Sequence, residues 1–506
     1  MEISRWISHA AQWDSDKIAI HFEGDSLSYG ALADRIAQLA GALRGLGVGP
    51  GDRVAHLGYN GPEILELLFA CARLGAALTP LNWRLTLPEY SFIVGDSKPQ
   101  LLFVEQPFYD HAQTLATAFS DLRVVALDAP HLDSLSYEQI IASANSVEPE
   151  RNDLDDAIAL IVYTSGTTGR PKGAMLPQSA LFWNAVNATI TQGMTRADHI
   201  LTAIPMFHAG GLNIQTTPAL HLGATVTIAQ RFDPGATLAL LASRRHSLFI
   251  AVPAMIQALI NHEDWAKTDL SGLRMFTTGS STIPLPLLKA WLDRDIPVTQ
   301  VYGLTETGPV STVTPVEDAE RKVGSCGKPA PYCEARVVDG DGLDVAAELR
   351  GEIVLRGPGI TTGYWNNPAA TAEAFGDGGW FRTGDIGHWD SEGYLYVDDR
   401  AKDVVISGGE NVYPAELEDV LARCPEIAEA AVVGRADNKW GEVPVAMVVL
   451  REPAGLEKQA ILDLFEGKLA RFKHPKDVLF VDTLPRNSMG KVLKFELREQ
   501  IAGGSR

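Results

Sequence analysis

The order of hydrophobic and polar positions predicts strands that alternate with helices as far as about residue 314. Apolar residues spaced as on one helix face run from about residue 31 to 46, and Gly47 follows as a typical helix-ending residue. An unbroken apolar run over residues 157–162 has the length of a fully buried strand. Strands that alternate with helices indicate a layered α/β domain with a largely parallel sheet. The other strands predicted in this first part are 19–22, 26–28, 53–57, 76–81, 101–104 and 123–127.

The pattern changes after Lys322, where glycines separate short β-rich segments that predict a small β subdomain. Beyond residue 403 the pattern predicts a compact α+β unit with a helix that begins at Pro414. A further helix is predicted over residues 456–470, and a basic, loop-like tail over residues 473–494. We therefore expect an N-terminal domain over residues 1–401 and a small C-terminal domain over residues 402–506.

The composition is typical of a soluble globular protein, with 46% hydrophobic and 21% charged residues in a chain of 506. A formal net charge of -20 argues against sequence-independent nucleic-acid binding, which requires a basic surface. It leaves open a phosphate-bearing ligand, because a local site can be positive on an acidic protein. The four cysteines form no CxxC pair, so neither a zinc site nor a disulfide framework is indicated.

The chain carries no sequence pattern of a secreted or membrane protein. Its first residues lack the charged and then apolar pattern of a signal peptide. The most apolar segment, residues 64–81, is interrupted by Glu66 and Arg73 and is typical of a buried helix followed by a strand. We therefore expect a cytoplasmic protein without a transmembrane segment.

A glycine-rich stretch over residues 163–173 follows the apolar run and precedes a helical pattern over residues 178–190. Glycine lets backbone N–H groups close on a bound anion, hydroxyls add donors, and Lys172 supplies positive charge. The common P-loop differs, because it has glycine where Pro171 stands and a hydroxyl where Gly173 stands. The same composition is also typical of a flexible surface loop. The phosphate-binding candidates are Thr164, Ser165, Gly166, Thr167, Thr168, Gly169 and Lys172.

Several other turns carry polar side chains directly after apolar runs. His208 follows one such run, and Tyr302 and Glu306 follow another. Taken singly, each has a structural explanation, His208 as a hydrogen-bonded core histidine and Glu306 as a solvated acid at a helix start. Asp385 alone would be a turn former, and Lys491 a surface lysine.

All these stretches in this order resemble the adenylate-forming superfamily, which comprises acyl-CoA synthetases, aryl-CoA ligases, luciferases and the adenylation domains of peptide synthetases. The resemblance implies a large N-terminal domain of α/β subdomains with a small β subdomain, followed by a small, mobile α+β C-terminal domain. It also implies two half-reactions. A carboxylic acid and ATP give an acyl-adenylate and pyrophosphate, and the thiol of coenzyme A then gives acyl-CoA and AMP. The resemblance covers residues 4–497 and rests on residues 163–173, 302–306, 383–385, 400–403, 408–418 and 490–491, which are jointly very specific.

The resemblance further implies where ATP and its cation would bind. Thr305 would contact the α-phosphate, and Glu306 would bind Mg²⁺, a hard cation suited to a carboxylate and phosphate oxygens. Tyr302 would offer its ring face to adenine. Lys491 would bridge the attacking carboxylate and the α-phosphate, where it stabilises charge that builds in the transition state. The other implied nucleotide contacts are Ser280, Gly303, Asp385, which would accept hydrogen bonds from the ribose, and Arg400.

For the second half-reaction the resemblance implies that the C-terminal domain swings about a hinge at Lys402. The swing would remove Lys491 and bring a glycine loop to a pantetheine tunnel, where side chains would block the thiol. His208 would gate this tunnel and help to orient the thiol. The implied contacts with coenzyme A are Gly408, Gly409, Trp440, Phe472 and Lys476, although His474 stands where some relatives carry arginine.

The acyl pocket implied by the resemblance is mostly apolar and lined by small residues. It offers no fixed cation for a second carboxylate, which favours an apolar monocarboxylic acid, either aliphatic of short to medium length or aromatic. The implied lining residues are Trp183, His208, Ala209, Gly210, Phe249, Gly279, Gly303 and Pro309.

Rival interpretations differ in the acceptor of the acyl group. An amino-acid adenylation domain normally carries an acid beside the position of Phe207 and His208, and none is present. A luciferase-like oxygenase and a ligase that loads a carrier protein both stay open, as does a homodimer. A non-enzymatic nucleotide-binding scaffold is disfavoured, because Lys491 and Glu306 are both retained.

Overall fold

The computed structural model describes residues 2–128, 135–148, 154–164, 171–243, 245–279, 283, 285–408, 410–451, 455–486 and 492–503. Across these ranges the contacts between residues divide the chain into two compact units. The first comprises Met1–Ala335 and Leu355–Phe381, and the second comprises Arg336–Val354 and Arg382–Arg506. Parts of the predicted β subdomain therefore cluster with the C-terminal segment. The domain boundary predicted between residues 401 and 402 stays a prediction.

The first unit alternates strands and helices as predicted from the hydrophobic pattern. Its strands are β1 (Ile18–Phe22), β2 (Asp25–Ser28), β3 (Arg53–Leu57), β4 (Ala77–Pro80), β5 (Leu101–Val104), β6 (Arg123–Ala126), β7 (Leu135–Ser136), β8 (Ile158–Thr164), β9 (Lys172–Pro177), β10 (His199–Thr202), β11 (Thr225–Ile228), β12 (Leu248–Ala251), β13 (Met275–Gly279), β14 (Val298–Tyr302), β15 (Thr312–Val313) and β16 (Lys328–Pro329). Its helices are α1 (Arg5–Trp13), α2 (Tyr29–Gly45), α3 (Pro62–Arg73), α4 (Leu87–Ser97), α5 (Tyr109–Ala118), α6 (Tyr137–Ser143), α7 (Gln178–Thr191), α8 (Ala209–Asn213), α9 (Thr216–Leu222), α10 (Pro234–Ala242), α11 (Pro253–Ile260), α12 (Leu285–Leu292) and α13 (Pro368–Ala374).

Two largely parallel sheets form the scaffold of this unit within the described ranges. One has the strand order β16-β15-β14-β13-β12-β10-β11-β1-β2, and the other has the order β7-β6-β5-β3-β4-β8-β9. Neighbours from β14 to β1 run parallel in the first sheet, as do neighbours from β7 to β8 in the second. The outer strands β2, β9, β15 and β16 pair antiparallel. The predicted α/β fold class is confirmed.

Helices α2 and α3 show how apolar faces cover the sheets. The side chain of Ser28 caps α2 by accepting a hydrogen bond of 3.2 Å from the N–H of Ala31. Helix α3 is buried along most of its length, and its residue Glu66 pairs with Arg35 at 2.7 Å. The apolar segment over residues 64–81 is thus a core helix with its strand. Within the described part of the chain, no helix is long and apolar enough to cross a membrane.

The second unit is β-rich and carries the remaining helices. Strands β17 (Glu334–Val338), β18 (Gly351–Arg356), β19 (Phe381–Trp389) and β20 (Leu395–Arg400) are hydrogen-bonded in that order. A further sheet has the order β22-β21-β24-β23, and β25 pairs with β24. These strands are β21 (Val405–Ser407), β22 (Glu410–Val412), β23 (Ile427–Asp437), β24 (Gly441–Leu450) and β25 (Asp477–Phe480), and the helices are α14 (Pro414–Ala422), α15 (Lys458–Asp463) and α16 (Lys494–Gly503).

Two predictions for the end of the chain are wrong. The helix predicted over residues 456–470 is the shorter α15, and Gly467 beyond it has a left-handed backbone with φ +70°. The tail predicted as a loop over residues 473–494 contains β25, in which the fully buried Val478 pairs in parallel register with Ala446. A strand of four residues beside charged positions has no pattern of its own, because its pairing with β24 is what defines it.

Candidate active site

Site residues predicted from the sequence lie where parallel strands end along one sheet edge. Strands β10, β12, β13 and β14 are parallel neighbours, so their carboxyl ends share an edge. His208 follows β10, Gly279 ends β13, and Tyr302 ends β14. Ligands of open α/β sheets bind at this edge, and the strand order therefore gathers turns that are far apart in sequence.

The predicted phosphate loop lies between two antiparallel strands. Thr164 at the end of β8 pairs with Lys172 at the start of β9, and Tyr163 pairs with Gly173. A Cβ at Gly173 would lie 2.9 Å from Ile161 Cγ2, so a larger residue there would have to displace the Ile161 side chain on the neighbouring strand. Lys172 Nζ lies 5.2 Å from the centroid of the Tyr364 ring, a cation–π contact. Ser165, Gly166, Thr167, Thr168 and Gly169 lie outside the described residues.

Glu306 is a buried carboxylate in a short 3-10 helix, Thr305–Thr307, that follows β14. Its Oε1 accepts hydrogen bonds from Thr164 Oγ1 at 3.2 Å and from the Tyr364 hydroxyl at 3.1 Å. Its carbonyl oxygen accepts from the N–H of Thr361 at 2.7 Å. Among the described residues, no hydrogen bond reaches Oε2. Two hydroxyl donors therefore fix an acid whose second oxygen can take a ligand.

The turn after β14 leaves no space for a side chain at Gly303 and is anchored by a buried amide. A Cβ at Gly303 would lie 2.7 Å from the Gly308 carbonyl oxygen, so only glycine fits there. Asn184 on α7 donates from Nδ2 to the Asn213 carbonyl at 2.6 Å and accepts at Oδ1 from the N–H of Val310 at 3.3 Å. The predicted pocket residues of α8 and of the turn after β14, Ala209, Gly210, Gly303 and Pro309, thus belong to segments joined through Asn184.

His208 precedes α8 and is neutral at pH 7. Desolvation lowers the pKa of His208 to about 4. Its Nδ1 accepts a hydrogen bond of 3.0 Å from the N–H of Gly210, which places the ring proton on Nε2. A Cβ at Gly211 would lie 2.1 Å from the Pro205 carbonyl oxygen, so α8 begins in close contact with the loop before it. This imidazole is therefore a hydrogen-bond donor at Nε2 and a weak base.

Aromatic residues near this edge occupy different environments. The Trp183 ring on α7 lies 4.6 Å from the Tyr332 ring, centroid to centroid, and Tyr332 is 44% exposed. The N–H of Tyr332 donates to Oδ1 of the buried Asn187 at 3.0 Å. Phe249 on β12 is fully buried against Phe276, and its predicted place in the acyl pocket stays a prediction. Ser280 lies outside the described residues.

In the second unit, the two residues predicted to contact the ribose form an ion pair. Asp385 and Arg400 are cross-strand neighbours on β19 and β20, with Arg400 Nε 2.7 Å from Asp385 Oδ1. Arg400 also donates from Nη1 to the Thr383 carbonyl oxygen at 3.2 Å. Only the side chain of Asp385 is deeply buried, so the pair presents a fixed carboxylate with a guanidinium beside it.

Ion pairs join the segments before and after Lys402, which lies in the 3-10 helix Ala401–Asp403. Arg350 contacts Asp398, with Nε and Oδ2 3.2 Å apart, and also pairs with Glu416. Lys473 Nζ lies 2.6 Å from the second oxygen of Glu416. The N–H of Ala415 donates to Asp399 Oδ2 at 2.9 Å. Burial raises the pKa of Asp399 above its usual value, opposed in part by Lys494.

The predicted contacts with coenzyme A are described in part. Gly408 has φ +62°, and a Cβ there would lie 2.8 Å from the Trp440 ring. Its N–H donates to the Trp440 carbonyl at 2.7 Å, so these two predicted residues lie side by side. Phe472 is 42% exposed, and Lys476 is held through its N–H to the Pro444 carbonyl at 2.8 Å. Gly409 and Lys491 lie outside the described residues.

The sequence interpretation missed Tyr364 and Asn184, which hold the site from elements distant in the chain. Tyr364 stands 58 positions after the acid that it contacts. Asn184 stands 126 positions before the N–H that it accepts from. Neither residue stands in a motif of its own, so no local signal pointed to them.

Comparisons with known proteins agree with this geometry. A family model described as AMP-binding enzyme matches residues 7–365, and a model described as AMP-binding enzyme C-terminal domain matches residues 416–491. Indoleacetate–CoA ligase of Aromatoleum aromaticum is 47% identical over 503 residues, which are 99% of this chain and 98% of that protein. Feruloyl-CoA synthase of an Amycolatopsis species is 40% identical over 499 residues, 99% of each chain.

A solved structure is also similar to this chain. O-succinylbenzoate coenzyme A synthetase (MenE) from Bacillus subtilis, in complex with ATP and magnesium ion, superposes with a TM-score of 0.87 at 32% identity. The match covers 97% of this chain and 98% of that one. The likeness therefore extends over both units of the chain.

Proposed function

Because the chain belongs to the AMP-binding enzyme family, we propose that it activates an aromatic monocarboxylic acid with ATP and transfers the acyl group to coenzyme A. The family and the reaction class predicted from the sequence, an AMP-forming acid–thiol ligase, are confirmed by the curated CoA ligases among its relatives. ATP and coenzyme A are the cosubstrates of that reaction. The aromatic acid is the narrower part of the proposal.

The first half-reaction makes the acid reactive. A carboxylate does not acylate a thiol directly, because oxide or hydroxide would have to leave. Attack of a carboxylate oxygen on the α-phosphorus of ATP releases pyrophosphate and leaves AMP as the better leaving group. Such a transfer depends on positioning and on neutralisation of charge. Lys172 and Thr164, paired at the base of the hairpin, would receive the β- and γ-phosphates.

Glu306 is the residue that we assign to the Mg²⁺ that accompanies ATP. Mg²⁺ is typically bound through one or two carboxylates together with substrate phosphates and water, and a fixed carboxylate with an available oxygen fits that requirement. Among the described residues, no group of three or more His, Cys, Asp or Glu could hold a metal alone, so phosphate oxygens would complete the ligand set. When bound, the ion neutralises charge on the phosphates.

We assign three further residues of this chain to the nucleotide. Lys491 would bridge the attacking carboxylate and the α-phosphate and stabilise the charge of the transition state. Asp385 would accept hydrogen bonds from the ribose hydroxyls, and Arg400, which pairs with it at 2.7 Å, would hold its orientation and add a donor.

In the second half-reaction we propose that the C-terminal segment swings about Lys402. Such a swing would exchange Lys491 for the backbone at Gly408 and Gly409 over the adenylate. The left-handed backbone of Gly408 and its contact with Trp440 support a chain path that excludes side chains. The ion pair of Arg350 with Glu416, whose partners stand on opposite sides of Lys402, would have to be broken in the process.

His208 would orient the thiol of coenzyme A. Its ring proton is on Nε2, so it can donate a hydrogen bond there while the N–H of Gly210 holds Nδ1. Because desolvation lowers the pKa of His208 to about 4, the imidazole is too weak a base to deprotonate a thiol efficiently. This favours a role in orientation and gating over one in proton abstraction.

The relatives and the residues near the pocket support an aromatic acid. The two curated proteins described above are named for indoleacetate and for a feruloyl group. In this chain, the predicted pocket residues beside His208, Ala209 and Gly210, are small, and the Trp183 ring offers an aromatic surface at α7. Apart from the neutral His208, no predicted pocket residue is basic, which disfavours a second carboxylate.

Pyrophosphate release with a panel of acids tests the proposal. The panel comprises indole-3-acetate, ferulate, benzoate, hexanoate, octanoate, malonate and the proteinogenic amino acids, each with and without coenzyme A. We expect release with the aromatic acids, and acyl-CoA with AMP only when coenzyme A is present. A higher kcat/KM for hexanoate or octanoate would overturn the aromatic assignment. Release with amino acids alone would overturn the CoA-ligase assignment for this chain.

The same assay separates the other acceptors. A carrier protein bearing phosphopantetheine that replaces coenzyme A at lower concentration would indicate a loading ligase. Light emission or oxygen uptake with the adenylate would indicate a luciferase-like activity. The predicted cytoplasmic location and the homodimer stay predictions.

A further inference from the structure

One buried amide joins loops from both sheets of the first unit. Asn60 follows β3 and is 5% exposed. Its Nδ2 donates to the carbonyl oxygens of Ile204 and Ala229, each at 3.1 Å, and its Oδ1 accepts from the N–H of Met206 at 2.7 Å. Ile204 and Met206 follow β10, and Ala229 follows β11, so one side chain binds three backbone groups of the facing sheet.

Two of these three backbone groups belong to the segment that leads to His208. Met206 stands two residues before His208 and is itself fully buried. The Ile204 carbonyl lies in the turn on which α8 packs, because a Cβ at Gly211 would lie 3.1 Å from that oxygen and 2.1 Å from the Pro205 carbonyl oxygen. The chain between the Asn60 contacts and the imidazole is therefore short and closely packed.

Further contacts of the Asn60 segment show that this junction is rigid. The N–H of Asn60 donates to the Gln230 carbonyl at 3.2 Å. Glu105, which follows β5, accepts from the N–H of Tyr59 at 2.7 Å and from Gln230 Nε2 at 3.2 Å. The loops after β3, β5 and β11 are thus mutually bonded, and Asn60 is the residue that extends this network to the loop after β10.

We propose that Asn60 is a positioning residue for the transfer to coenzyme A, because its amide fixes the loop that holds His208 against the thiol path. The proposal rests on the proposed role of His208 in the second half-reaction. Removal of the amide leaves two carbonyl groups and one N–H unpaired in a buried place, so the loop must rearrange or admit water. A displacement of about 1 Å at a reacting group can lower a rate by about 100-fold.

The test separates the two half-reactions in Asn60→Ala and Asn60→Asp. Asn60→Asp keeps an acceptor for Met206 but sets a carboxylate against the carbonyl oxygens of Ile204 and Ala229. For Asn60→Ala we expect acyl transfer from supplied acyl-adenylate to coenzyme A to fall by about 10- to 100-fold. Pyrophosphate release with acid and ATP should change by less than about threefold, and Asn60→Asp should be at least as impaired as Asn60→Ala.

A double-mutant cycle with His208→Ala distinguishes positioning from general loss of structure. If Asn60 acts through His208, Asn60→Ala should add less than about a twofold further loss of acyl transfer in the His208→Ala background. Multiplication of the two losses would overturn the proposal. Equal losses in both half-reactions for Asn60→Ala would also overturn it, since they indicate a structural role alone.

Gln178→Ala is the matched control. Gln178 is a fully buried amide that accepts from the N–H of Ile3 at 2.9 Å and donates to the Ala72 carbonyl at 2.8 Å. It bonds backbone groups of α3 and of the segment before α1, so its loss should lower stability and leave the ratio of the two half-reactions unchanged. If Gln178→Ala lowers that ratio as Asn60→Ala does, the proposal is wrong. A wild-type protein without ligase activity, or a His208→Ala variant with normal transfer, would instead refute the proposed function.

Discussion

The loop that carries His208 and the segments on either side of Lys402 are held by opposite kinds of interaction. The His208 loop is fixed by neutral hydrogen bonds from Asn60 and by close backbone packing at Gly211. The flanks of Lys402 are joined by the ion pair of Arg350 with Glu416, in which Arg350 keeps 31% of its side chain exposed. Buried neutral hydrogen bonds are costly to break, because the groups left behind have no partner. Partly exposed ion pairs exchange for water at small cost.

This difference separates what must stay in place from what must move. The His208 loop must keep fixed distances during acyl transfer, and buried hydrogen bonds, which water does not readily replace, hold it in place. The segment after Lys402 is proposed to swing, and partly exposed ion pairs let it move because water can replace the lost contacts. The following predictions test that contrast, and the largest expected effect comes first.

Lys491→Ala tests whether the moving segment carries the adenylation chemistry. We expect adenylation to fall by at least about 100- to 1,000-fold, because a charge-stabilising group is lost from the transition state. Transfer from supplied acyl-adenylate to coenzyme A should stay near the wild-type rate. The measurement is pyrophosphate release for the first step and acyl-CoA formation for the second. Equal loss of both steps would contradict the exchange of Lys491 between the two half-reactions.

Gly211→Ala tests the rigidity of the His208 loop. The added methyl would lie 2.1 Å from a backbone oxygen that cannot rotate away, so the loop must shift. We expect the free energy of unfolding, measured in urea, to fall by about 1–3 kcal/mol, with slower transfer to coenzyme A. Gly45→Ala at the end of α2 is the control, since nothing lies within 4 Å of its added Cβ. A stable Gly211→Ala variant with normal transfer would show that the loop yields easily.

The acid stability of the protein tests the environment of His208. Its pKa is about 4 in the folded chain and close to 6.5 when unfolded. Because the folded state binds fewer protons, this contribution is complete above about pH 6.5 and is lost as pH falls toward 4. In urea unfolding, wild type should lose up to about 2 kcal/mol more than His208→Asn between pH 7.5 and pH 5. The same loss in both proteins would place the acid sensitivity elsewhere.

Arg350→Met tests whether the ion pairs that join the segments around Lys402 can be replaced by water. We expect the free energy of unfolding to change by no more than about 1 kcal/mol, because Arg350 is partly exposed. The ratio of the two half-reaction rates should shift by about fivefold, and added salt should shift the wild-type ratio in the same direction. Arg356→Met is the control, since Arg356 pairs with Glu334 at 2.7 Å and with no residue that follows Lys402 in the described part of the chain. An unchanged, salt-independent ratio for Arg350→Met would contradict the exchangeable contacts.

The sequence predicts those parts of the fold and site that have a local cause. The apolar run before Thr164 predicts β8, and periodic apolar positions followed by Gly47 predict α2. Turns after strands predict where Glu306 and His208 stand, because parallel strands deliver their following residues to one edge. Both depend on residues within a few positions of one another.

What the sequence did not predict depends on contacts across long separations. Strand β9 is defined by pairing with β8, and its first residue, Lys172, was interpreted only as part of a loop. Strand β25 exists through its register with β24. Asn60 stands 146 positions before Met206, the residue whose N–H it accepts, and an asparagine beside Gly61 and Pro62 is typical of any turn. Such contacts have no periodic signature.

The hydroxyl of Thr164 can donate one hydrogen bond, and it lies 3.2 Å from Glu306 Oε1 and 3.4 Å from the Lys172 carbonyl oxygen of the hairpin. If a phosphate oxygen of ATP accepts the Thr164 hydrogen bond, Glu306 Oε1 has only the Tyr364 hydroxyl as a donor. With one donor fewer, the negative charge of the Glu306 carboxylate is less neutralised when the triphosphate is bound, so the carboxylate attracts a cation more strongly. Nucleotide and divalent ion should therefore show positive thermodynamic linkage, each loading more tightly in the presence of the other.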